Sequence, residues 1–548
     1  MPLRLGELLL EKRVLSQQDL DRALDIARQD RESLFAVLVR RQLVPEATLL
    51  DIVAETQGIR FLHLKETPID ERAVRSISPK LASHYRIMPI KLENGVVTIA
   101  TSNPFDQSPS EDIETNLGYR VERVLACEAD IQDAIRRHYG VGAETIERLL
   151  DEMPRDEVRL TTQESHDLER MAEDASVIRL VNQIFHQAIV DRATDIHFEV
   201  SAEGVNTRRR IDGVLYETPV SKNISLLYPA IVSRIKLMAG LDIVERRLPQ
   251  DGRARVSIGR HEYDLRISVV PSLHGEDVVI RILPTTMLLS LEELGFSPRH
   301  LALMADLIKQ PHGIVFVTGP TGSGKSTTLY ACLSKLNTRD RKIIAIEDPV
   351  EYELKGVTQT QVNPKIDLTF ARALRSMLRH DPDIMMVGEV RDRETADITI
   401  QTALTGHLVF STLHTNDAAS AAVRLIDMGV DPYLITSTVR AFIAQRLVRV
   451  ICRECRESIE GEKGMEYRGK GCRRCNNTGY LGRIGIFEFI MIGKEIERLI
   501  LARASAGDVR EKALELGMTT LIQDGWEKVA RGITTSEEVR RVTYTRDL

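Results

Sequence analysis

The chain has 548 residues, of which 43% are hydrophobic and 28% are charged. At roughly 150 residues per domain, this length predicts about three or four domains with sizeable cores, which excludes a disordered protein and a small disulfide-stapled one. The formal net charge of −6 argues against general nucleic-acid coating. No segment offers the ~20 mostly apolar residues of a membrane-spanning helix, and the N-terminal leucines are too often interrupted by charges for a signal peptide. We therefore expect a cytoplasmic protein.

The acidity is concentrated in residues 144–174, where eleven acids face four bases and the net charge is −7. Such a self-repelling stretch predicts an extended or partly helical linker over 141–175. In residues 1–140, before the linker, the leucines at 5–24 are echoed by apolar residues 29 positions later, which predicts two helical hairpins. Strand-like and helical pieces over 62–139 then predict a compact α+β module.

Four further regions are expected after the linker. An apolar-periodic helix at 176–192, alternating strands and Asp-Gly turns predict a second α+β domain over 176–285. Over 286–450, short apolar strands alternate with helical segments, which predicts a parallel sheet with helices on both faces. These strands are Ile314–Val317, Lys342–Ile346, Ile384–Val387 and Leu408–Ser411. A small cysteine-bearing insert over 451–485 and a C-terminal helical region over 486–548 complete the expected organisation.

The strongest motif is a phosphate loop between a predicted strand and a predicted helix. It consists of Gly319, Pro320, Thr321, Gly322, Ser323, Gly324, Lys325 and Ser326, and Thr327 begins the predicted helix. Glycines let backbone N–H groups curl around phosphates, Lys325 can reach the β- and γ-phosphates of ATP, and Ser326 can hold Mg²⁺. The strand–loop–helix context favours this interpretation over a chance match of the pattern.

Two acidic strand ends fit such a loop, because phosphoryl transfer needs groups that organise the metal and the attacking water. Glu389 follows the strand at 384–387 and is the candidate for organising Mg²⁺ and polarising water. Glu347 ends a neighbouring strand and is the candidate partner for positioning the water. An exposed acid without a catalytic role is the alternative for each position.

Histidines flank the fourth predicted strand, at His407 and His414. A histidine at a strand end often only satisfies a backbone carbonyl. Because this strand is the natural neighbour of the acid-bearing strands, His414 is the candidate sensor of the γ-phosphate, and His407 is a weaker one.

Arginines cluster in the second α+β domain, at Arg208, Arg209, Arg210, Arg253, Arg255 and Arg266. Strand alternation predicts that Arg208 and Arg210 share a face of the sheet. Arginine suits bidentate binding of phosphate oxygens, and positive charge near a transferring phosphoryl group has large effects on rate. A solvated strand face is the alternative interpretation.

Two Cys-x-x-Cys pairs lie near the C-terminus, with 16 residues between them: Cys452 with Cys455, and Cys472 with Cys475. This spacing is typical of a tetrahedral four-cysteine zinc site. Because four protein ligands leave no open position, we expect Zn²⁺ to have a structural role. Cys127 and Cys332 stand alone in apolar surroundings and are expected to be core residues.

Together with Ala193–Glu199, Leu248–Arg253 and Leu378–Asp383, these motifs resemble the type II secretion system assembly ATPases (GspE-like), within the family that also powers type IV pilus extension. The resemblance implies a RecA-like P-loop NTPase domain with a PAS-like α+β N-terminal module. It also implies a small tetracysteine zinc insert and an additional N-terminal α+β docking domain. In such proteins residues 346–349 form the aspartate box, 383–389 the Walker B motif and 406–414 the histidine box.

The same resemblance implies a cytoplasmic hexameric ATPase that powers pseudopilus assembly and protein export, with ATP, Mg²⁺ and Zn²⁺ as ligands. In such proteins arginines of the PAS-like module complete the nucleotide site, and Arg208, Arg210 and Arg266 match best by position. The implied partners are further copies in a homo-hexamer, the cytoplasmic domain of an inner-membrane secretion protein, and the inner-membrane platform protein. The protein would associate with the inner membrane through these partners.

Several alternatives remain at this point. The spacing between the cysteine pairs is short for the type II branch, so a type IV pilus extension ATPase remains an alternative. A second alternative is a nucleotide-gated scaffold in which ATP turnover is incidental. A DNA-uptake or conjugation ATPase, which would share the phosphate loop, is less favoured because the sequence has no basic stripe interleaved with aromatics that would predict direct nucleic-acid contact. Some relatives bind cyclic di-GMP through paired Arg-Leu-Gly motifs, but Arg13 and Gln42 stand where those motifs have glycine, so binding is doubtful.

Overall fold

The computed structural model describes residues 2–30, 32–152, 172–221, 223–284, 289–461 and 464–543. The chain divides into two units. The first consists of Met1–Ile211, Leu215–Ala254 and Leu265–Ile282, and the second of Asp212–Val214, Arg255–Asp264 and Leu283–Leu548. Over the described ranges, no helix has both the length and the apolar character needed to cross a membrane.

The first unit begins with the two predicted helical hairpins. Their helices are α1 (Pro2–Glu11), α2 (Gln17–Asp30), α3 (Leu34–Arg40) and α4 (Glu46–Gln57). Leu9, Leu38 and Leu49 are fully buried in the core that these helices share. The Ser33 hydroxyl accepts a 3.1 Å hydrogen bond from the Ala36 N–H, which satisfies a donor that the start of α3 leaves unpaired.

A three-stranded sheet with five helices forms the predicted α+β module. The elements are α5 (Glu71–Ser76), α6 (Pro79–Tyr85), β1 (Ile87–Glu93), β2 (Val96–Thr101), α7 (Ser108–Leu117), β3 (Arg120–Leu125), α8 (Glu128–Tyr139) and α9 (Ala143–Glu152). Strand β2 pairs antiparallel with β1 and parallel with β3. Ile87, Val97 and Val124 are fully buried, so the sheet forms the centre of this module.

The first part of the expected linker over 141–175 is folded. Helix α9 contacts α6 and buries Ala143, Ile146 and Leu149. Apolar residues three positions apart within an otherwise acidic segment account for this helix. Residues 153–171, which contain most of the acidic stretch, lie outside the described residues.

A six-stranded sheet and two helices complete the first unit, with a few strand ends assigned to the second unit. The elements are α10 (Ala175–Val190), β4 (Ala193–Ser201), β5 (Gly204–Ile211), β6 (Val214–Glu217), α11 (Ile224–Met238), β7 (Gln250–Ile258), β8 (His261–Ser272) and β9 (Gly275–Pro284). The strand order is β6-β5-β4-β9-β8-β7. Helix α10 confirms the helix predicted at 176–192.

Strand alternation gives this sheet an apolar face and a charged face. Ile196 and Phe198 of β4 lie on the apolar face and are buried. Asp195 is also buried but belongs to the opposite, charged face, and β4 pairs antiparallel with β5. In that register Asp195 is opposite Arg210, and His197 is opposite Arg208. The two predicted arginines therefore share the charged face, as the alternation predicts.

The second unit contains a seven-stranded sheet, a two-stranded sheet and ten α-helices within the described residues. The elements are α12 (Pro298–Leu307), β10 (Gly313–Thr318), α13 (Lys325–Leu336), β11 (Ile343–Glu347), β12 (Val357–Gln361), α14 (Phe370–Met377), β13 (Ile384–Val387), α15 (Arg393–Leu404), β14 (Leu408–Leu413), α16 (Ala419–Asp427), α17 (Pro432–Thr438), β15 (Val439–Ile451), β16 (Arg456–Gly461), β17 (Gly464–Gly469), β18 (Tyr480–Met491), α18 (Lys494–Leu501), α19 (Ala506–Glu515), α20 (Leu521–Ala530) and α21 (Ser536–Thr543).

The large sheet has the order β12-β11-β13-β14-β10-β15-β18. The four predicted strands occupy its centre as β10, β11, β13 and β14, and their pairings are parallel. All six residues of β10 are buried, with one core cluster on each side of the sheet. The carboxyl ends of the parallel strands meet at one edge, which is where open α/β sheets bind ligands.

The predicted C-terminal helical region over 486–548 starts before the first helix of this region, which begins at Lys494. Residues 486–491 form the second half of β18, which pairs antiparallel with β15. An apolar run of this length can be a buried strand or a buried helix, and only the pairing with β15 decides between them. The remainder of the region contains the helices α18 to α21, and residues 544–548 lie outside the described part of the chain.

Candidate functional site

The phosphate loop connects β10 to α13 at the edge predicted from the motif. Gly322 and Gly324 have φ angles of 79° and 89°, in the left-handed region that favours glycine. A Cβ atom on Gly324 would also lie only 2.7 Å from the Gln445 amide nitrogen. Ser326 lies exposed in the first turn of α13, and Thr327 is half-buried beside it. The loop thus has the backbone shape that binds phosphate at the start of a helix.

Lys325 extends into this loop and is 9% exposed. Its ammonium donates hydrogen bonds to the carbonyls of Gly319 at 2.8 Å and Pro320 at 3.1 Å. Burial lowers the pKa of Lys325 to about 8, an effect that the charge of Glu389 opposes. A partly buried cation held by loop carbonyls can exchange them for phosphate oxygens when a nucleotide binds.

Glu389 and His414 lie together at the ends of β13 and β14. The His414 Nε2 atom is 3.0 Å from Glu389 Oε2, and the Arg391 guanidinium is 2.5 Å from Glu389 Oε1. The Thr412 hydroxyl donates a 2.7 Å hydrogen bond to the Gly388 carbonyl, which fixes the two strand ends relative to each other. Glu389 is 9% exposed, and its charge acts on Lys325. The structure therefore brings together Lys325, Glu389 and His414.

Thr318 joins the start of the phosphate loop to the segment that carries His414. Its hydroxyl donates to the Leu413 carbonyl at 3.1 Å and accepts from the Thr415 N–H at 2.9 Å. Both contacts are inside the sheet edge, where Thr318 is fully buried. These hydrogen bonds connect the start of the phosphate loop to the backbone on both sides of His414.

Glu347 lies at the end of β11 and is 3% exposed. The Tyr330 hydroxyl donates a hydrogen bond to Oε2, and the Gln359 amide donates one to Oε1 at 2.9 Å. Burial raises the pKa of Glu347, and these two hydrogen bonds act in the opposite direction. The structure thus places Glu347 on the strand next to the one that carries Glu389, with each carboxylate oxygen bound by a neutral donor.

His407 has the structural role considered as the alternative. Its Nδ1 atom is 2.8 Å from the Thr402 carbonyl and 3.0 Å from the Thr405 hydroxyl. These contacts stabilise the turn between α15 and β14. His407 therefore binds the backbone and a hydroxyl of its own turn, whereas His414 is the histidine that contacts Glu389.

The arginines predicted to bind nucleotide lie in the first unit, whereas the phosphate loop lies in the second. Arg208 forms an ion pair with Glu199, and Arg210 Nε is 3.6 Å from Asp195 Oδ2. Both arginines therefore have carboxylate partners on the charged face of the six-stranded sheet. Such pairing holds the guanidinium groups in defined positions.

Arg266 lines a cavity of 370 Å³ in the same sheet. Arg253 and Arg281 line it as well, so three arginines border one space. Arg281 also donates a 3.1 Å hydrogen bond to Asp195, the partner of Arg210. Sequence reasoning missed Arg281 because β9 contains a single arginine and no motif. The alternation along a recognised strand is the signal that could have identified it.

The four predicted zinc ligands form one cluster. The Sγ atoms of Cys452 and Cys472 are 3.7 Å apart, those of Cys455 and Cys475 are 3.8 Å apart, and all four lie within 4.8 Å of one another. Four sulfurs at about 2.3 Å from a tetrahedral zinc ion would be about 3.8 Å apart. The Gly471 N–H donates to Cys455 Sγ at 3.3 Å. Both the donor set and its dimensions fit Zn²⁺.

Gln445 and Arg446 in β15 lie beside the phosphate loop, although no motif identified them. The Thr328 hydroxyl donates to Gln445 Oε1 at 2.7 Å, and Arg446 donates to the Asn416 carbonyl at 2.7 Å. Burial lowers the pKa of Arg446, an effect that Asp417 opposes. A polar pair in the middle of the apolar run Val439–Ile451 is the sequence signal that could have revealed them.

A family model described as "Type II/IV secretion system protein" matches residues 170–541, more than half of the chain. The chain belongs to the type II/IV secretion system protein family. A second model, the MshEN domain, matches residues 57–145, within the N-terminal part of this secretion ATPase. The resemblance stated from the motifs is therefore confirmed.

Relatives that align over nearly the whole of this secretion ATPase have two kinds of name. Type II secretion system protein E of Xanthomonas campestris pv. campestris is 42% identical and covers 98% of both chains. The type IV pilus assembly ATPase PilB of Myxococcus xanthus is 39% identical, also over 98% of both chains. Type II secretion system ATPase E of Vibrio cholerae is 42% identical over 84% of this chain and 92% of its own. The Myxococcus and Vibrio relatives are named as ATPases, in agreement with the predicted activity.

A solved structure supports the fold. The Legionella pneumophila ATPase DotB has a TM-score of 0.51 and is 23% identical, over 66% of this secretion ATPase and 95% of DotB. The predicted RecA-like P-loop fold is confirmed, and with the cysteine cluster so is the predicted fold class.

Proposed function

We propose that this ATPase powers pseudopilus assembly and protein export by a type II secretion system. The observation that carries the proposal is the joining of Lys325, Glu389 and His414 at one sheet edge. A full-length relative named for type II secretion, 42% identical, supports the branch. In this proposal the protein is a cytoplasmic homo-hexamer that associates with the inner membrane through its partners.

ATP binds with its phosphates against the loop between β10 and α13. Lys325 leaves the carbonyls of Gly319 and Pro320 and binds the β- and γ-phosphates, and N–H groups of the loop bind the remaining oxygens. The loss of two carbonyl contacts is offset by the stronger interaction of an ammonium with phosphate in a partly buried site. Nucleotide binding therefore replaces internal contacts of the loop.

Ser326 and Glu389 are the proposed Mg²⁺-binding residues. Their hydroxyl and carboxylate oxygens are the hard ligands that Mg²⁺ prefers, and the ion neutralises charge on the phosphate oxygens when bound. His414 contacts Glu389 directly, at 3.0 Å, so it is placed to respond when Glu389 changes partners. This contact is the basis for proposing His414 as the γ-phosphate sensor.

Glu347 is the proposed acceptor of the proton from the attacking water. Burial raises its pKa, which brings a carboxylate closer to the pH at which a base is most effective. Glu389, in contrast, is committed to His414 and Arg391. The two acids would thus divide the work, one organising the metal and the other the water.

Arg208, Arg210 and Arg266 are proposed to supply positive charge to the transferring phosphoryl group. What supports this is the clustering of guanidinium groups on one sheet face, with Arg266 lining the cavity. Arginine charge acting on a developing phosphoryl transition state accelerates such reactions strongly. The domain that carries these residues, 176–285, is the proposed moving part of each subunit.

The remaining domains are proposed to transmit the work. The N-terminal domain over 1–140 would bind the cytoplasmic domain of an inner-membrane secretion protein, and the acidic linker over 141–175 would separate that contact from the motor. ATP-driven movement of the domain over 176–285 against the domain over 286–450 would then act on the inner-membrane platform protein. The insert over 451–485, ordered by Zn²⁺, and the region over 486–548 would complete the motor.

Type IV pilus extension is the second candidate, because a PilB relative aligns over 98% of the chain at 39% identity. A strain carrying Lys325→Ala separates the two. Proteins in the culture medium and pili on the cell surface are measured in the same culture, with Lys335→Ala, an exposed lysine of α13, as the control. We expect export to stop and pili to persist; loss of pili with unchanged export would assign the protein to the pilus branch.

A further inference from the structure

Two side chains outside the recognised motifs contact Glu347. Tyr330 lies on α13, the helix that begins at Lys325, and Gln359 lies on β12, the strand paired with β11. The Tyr330 hydroxyl donates to one oxygen of the Glu347 carboxylate and the Gln359 amide to the other. Glu347 is therefore held from two different elements.

The Tyr330 hydroxyl is itself fixed. It is fully buried and accepts a 3.3 Å hydrogen bond from the Glu351 N–H while donating to Glu347. Because the ring belongs to α13, this contact joins the carboxylate to the helix that starts at the phosphate loop. The position of Glu347 thus depends on the position of α13.

The Gln359 amide is fixed in the same way. Its nitrogen donates to Glu347 at 2.9 Å and to the Tyr352 carbonyl at 3.1 Å, and its oxygen accepts from the Leu354 N–H at 2.7 Å. Rotation of the amide would break all three bonds at once. The backbone of residues 351–354, which follows Glu347 in the chain, therefore hydrogen-bonds to both Tyr330 and Gln359.

We propose that Tyr330 and Gln359 are positioning residues for ATP hydrolysis, which fix the direction of the Glu347 carboxylate and stabilise its negative charge. The proposal rests on the proposed role of Glu347 as the proton acceptor. Neither residue is expected to touch the nucleotide or the water. Their effect on the reaction passes through Glu347.

Burial and the two hydrogen-bond donors have opposite effects on the pKa of Glu347. A buried carboxylate loses the solvation that favours its charged form, so burial raises the pKa of Glu347, and the two donors lower it. Two further ionisable groups of the described residues interact with the carboxylate: Glu351, whose charge raises the pKa of Glu347, and Tyr352. Strand β13, on the other side of β11, has no ionisable side chain over Ile384–Val387. Without the two donors, the pKa of Glu347 would be higher, so the carboxylate would take up its proton at a higher pH.

The test is the pH dependence of kcat in full-length Tyr330→Phe and Gln359→Leu proteins. Loss of one hydrogen bond is expected to move the acid limb of the profile upward by about one pH unit. Turnover should therefore recover at higher pH, while ATP affinity stays at the wild-type value. Melting curves show that each variant is folded, and the smaller change, Tyr330→Phe, carries the test if Gln359→Leu does not fold.

Tyr352→Phe is the matched control. Its ring packs edge-on against Tyr330 at 4.5 Å, and its hydroxyl is buried without a hydrogen-bond partner among the described residues. Removing that hydroxyl should leave the profile unshifted. Variants with the wild-type acid limb, whether their turnover is normal or uniformly reduced, would overturn the proposal, and so would an equal shift in Tyr352→Phe.

A further variant separates this proposal from the role of Glu347 itself. Glu347→Gln should lose turnover at every pH. If it retains turnover, the proposed role of Glu347 fails and the positioning role fails with it. If Glu347→Gln is inactive but Tyr330→Phe keeps the wild-type profile, only the positioning role is overturned.

Discussion

The imidazole of His414 and the carboxylate of Glu389 are hydrogen-bonded, with Nε2 and Oε2 3.0 Å apart, although 25 positions separate the two residues. Glu389 is almost buried, whereas the His414 side chain is 43% exposed. The pair thus joins an acid inside the sheet edge to a side chain that can move. This contact connects the proposed metal-binding residue with the proposed sensor.

Replacing His414 with alanine should slow turnover more than it weakens ATP binding. Without the imidazole, Glu389 loses one of its two contacts and is less well oriented, which we expect to cost about tenfold to a hundredfold in kcat. Steady-state ATPase rates and equilibrium nucleotide binding measure the two effects. His407→Ala is the control, because His407 contacts only its own turn in the contacts described; an equal loss in both variants would contradict a specific role for His414.

Replacing Cys472 with serine should abolish stoichiometric zinc and destabilise the C-terminal half. A structural four-thiolate site contributes on the order of 10 kcal/mol to the order of its module, and three ligands hold the ion much less tightly. Metal analysis and limited proteolysis of the full-length protein are the measurements. Cys127→Ser, which lies outside the cluster, should keep its zinc; wild-type protein without zinc would contradict the assignment.

Glu538 should contribute stability that is lost in acid. Burial by itself raises the pKa of Glu538, but hydrogen bonds from Arg541 and Arg449 outweigh it and lower the pKa to about 2. The contribution is therefore present above the ordinary value of 4.5 and disappears as the pH falls towards 2. Glu538→Gln breaks this buried cluster and should cost about 3 kcal/mol at neutral pH.

Hydrogen exchange of peptides from α21, measured at pH 7, reports this loss. The exposed neighbour Glu537 provides the control, and Glu537→Gln should exchange like the wild type. Equal protection of α21 in Glu538→Gln and in the wild-type protein would show that the buried cluster does not stabilise the helix.

Replacing Arg210 with alanine should lower turnover by about tenfold or more and leave ATP affinity nearly unchanged, because the arginine acts on charge that develops in the transition state. ATPase kinetics of the full-length protein measure both quantities. Arg260→Ala, in the exposed turn after β7, is the control. Normal turnover in Arg210→Ala would contradict a catalytic role and favour the alternative, in which Arg210 only belongs to a solvated strand face.

The phosphate loop and the strand-end acids could be predicted because their signals are local. Lys325 lies within a run of glycines between a strand and a helix, and Glu389 directly follows an apolar strand. Parallel strands bring their carboxyl ends to one edge, so the fold class alone indicates that these residues lie close together. The cysteine pairs are predictable for a similar reason, since their spacing matches a known ligand geometry.

The partners of Glu347 could not be predicted in this way. Gln359 meets the carboxylate because β12 pairs with β11 in the observed register, with Glu347 opposite Gln361. Tyr330 meets it because α13 packs against the face of the sheet that contains Ile343 and Ala345 of β11. Neither residue stands in a recognisable pattern. The same applies to Arg446, whose role follows from the pairing of β15 with β10, and to residues 486–491, whose apolar run does not distinguish a strand from a helix.

ATP turnover and protein export, measured in the same strain, test most directly whether hydrolysis powers export. In Glu389→Gln, loss of the charge that would organise Mg²⁺ should reduce turnover by about a hundredfold or more while nucleotide still binds. We expect export to stop together with turnover. Export at the wild-type rate without turnover would contradict a motor and would identify a scaffold that nucleotide only holds together.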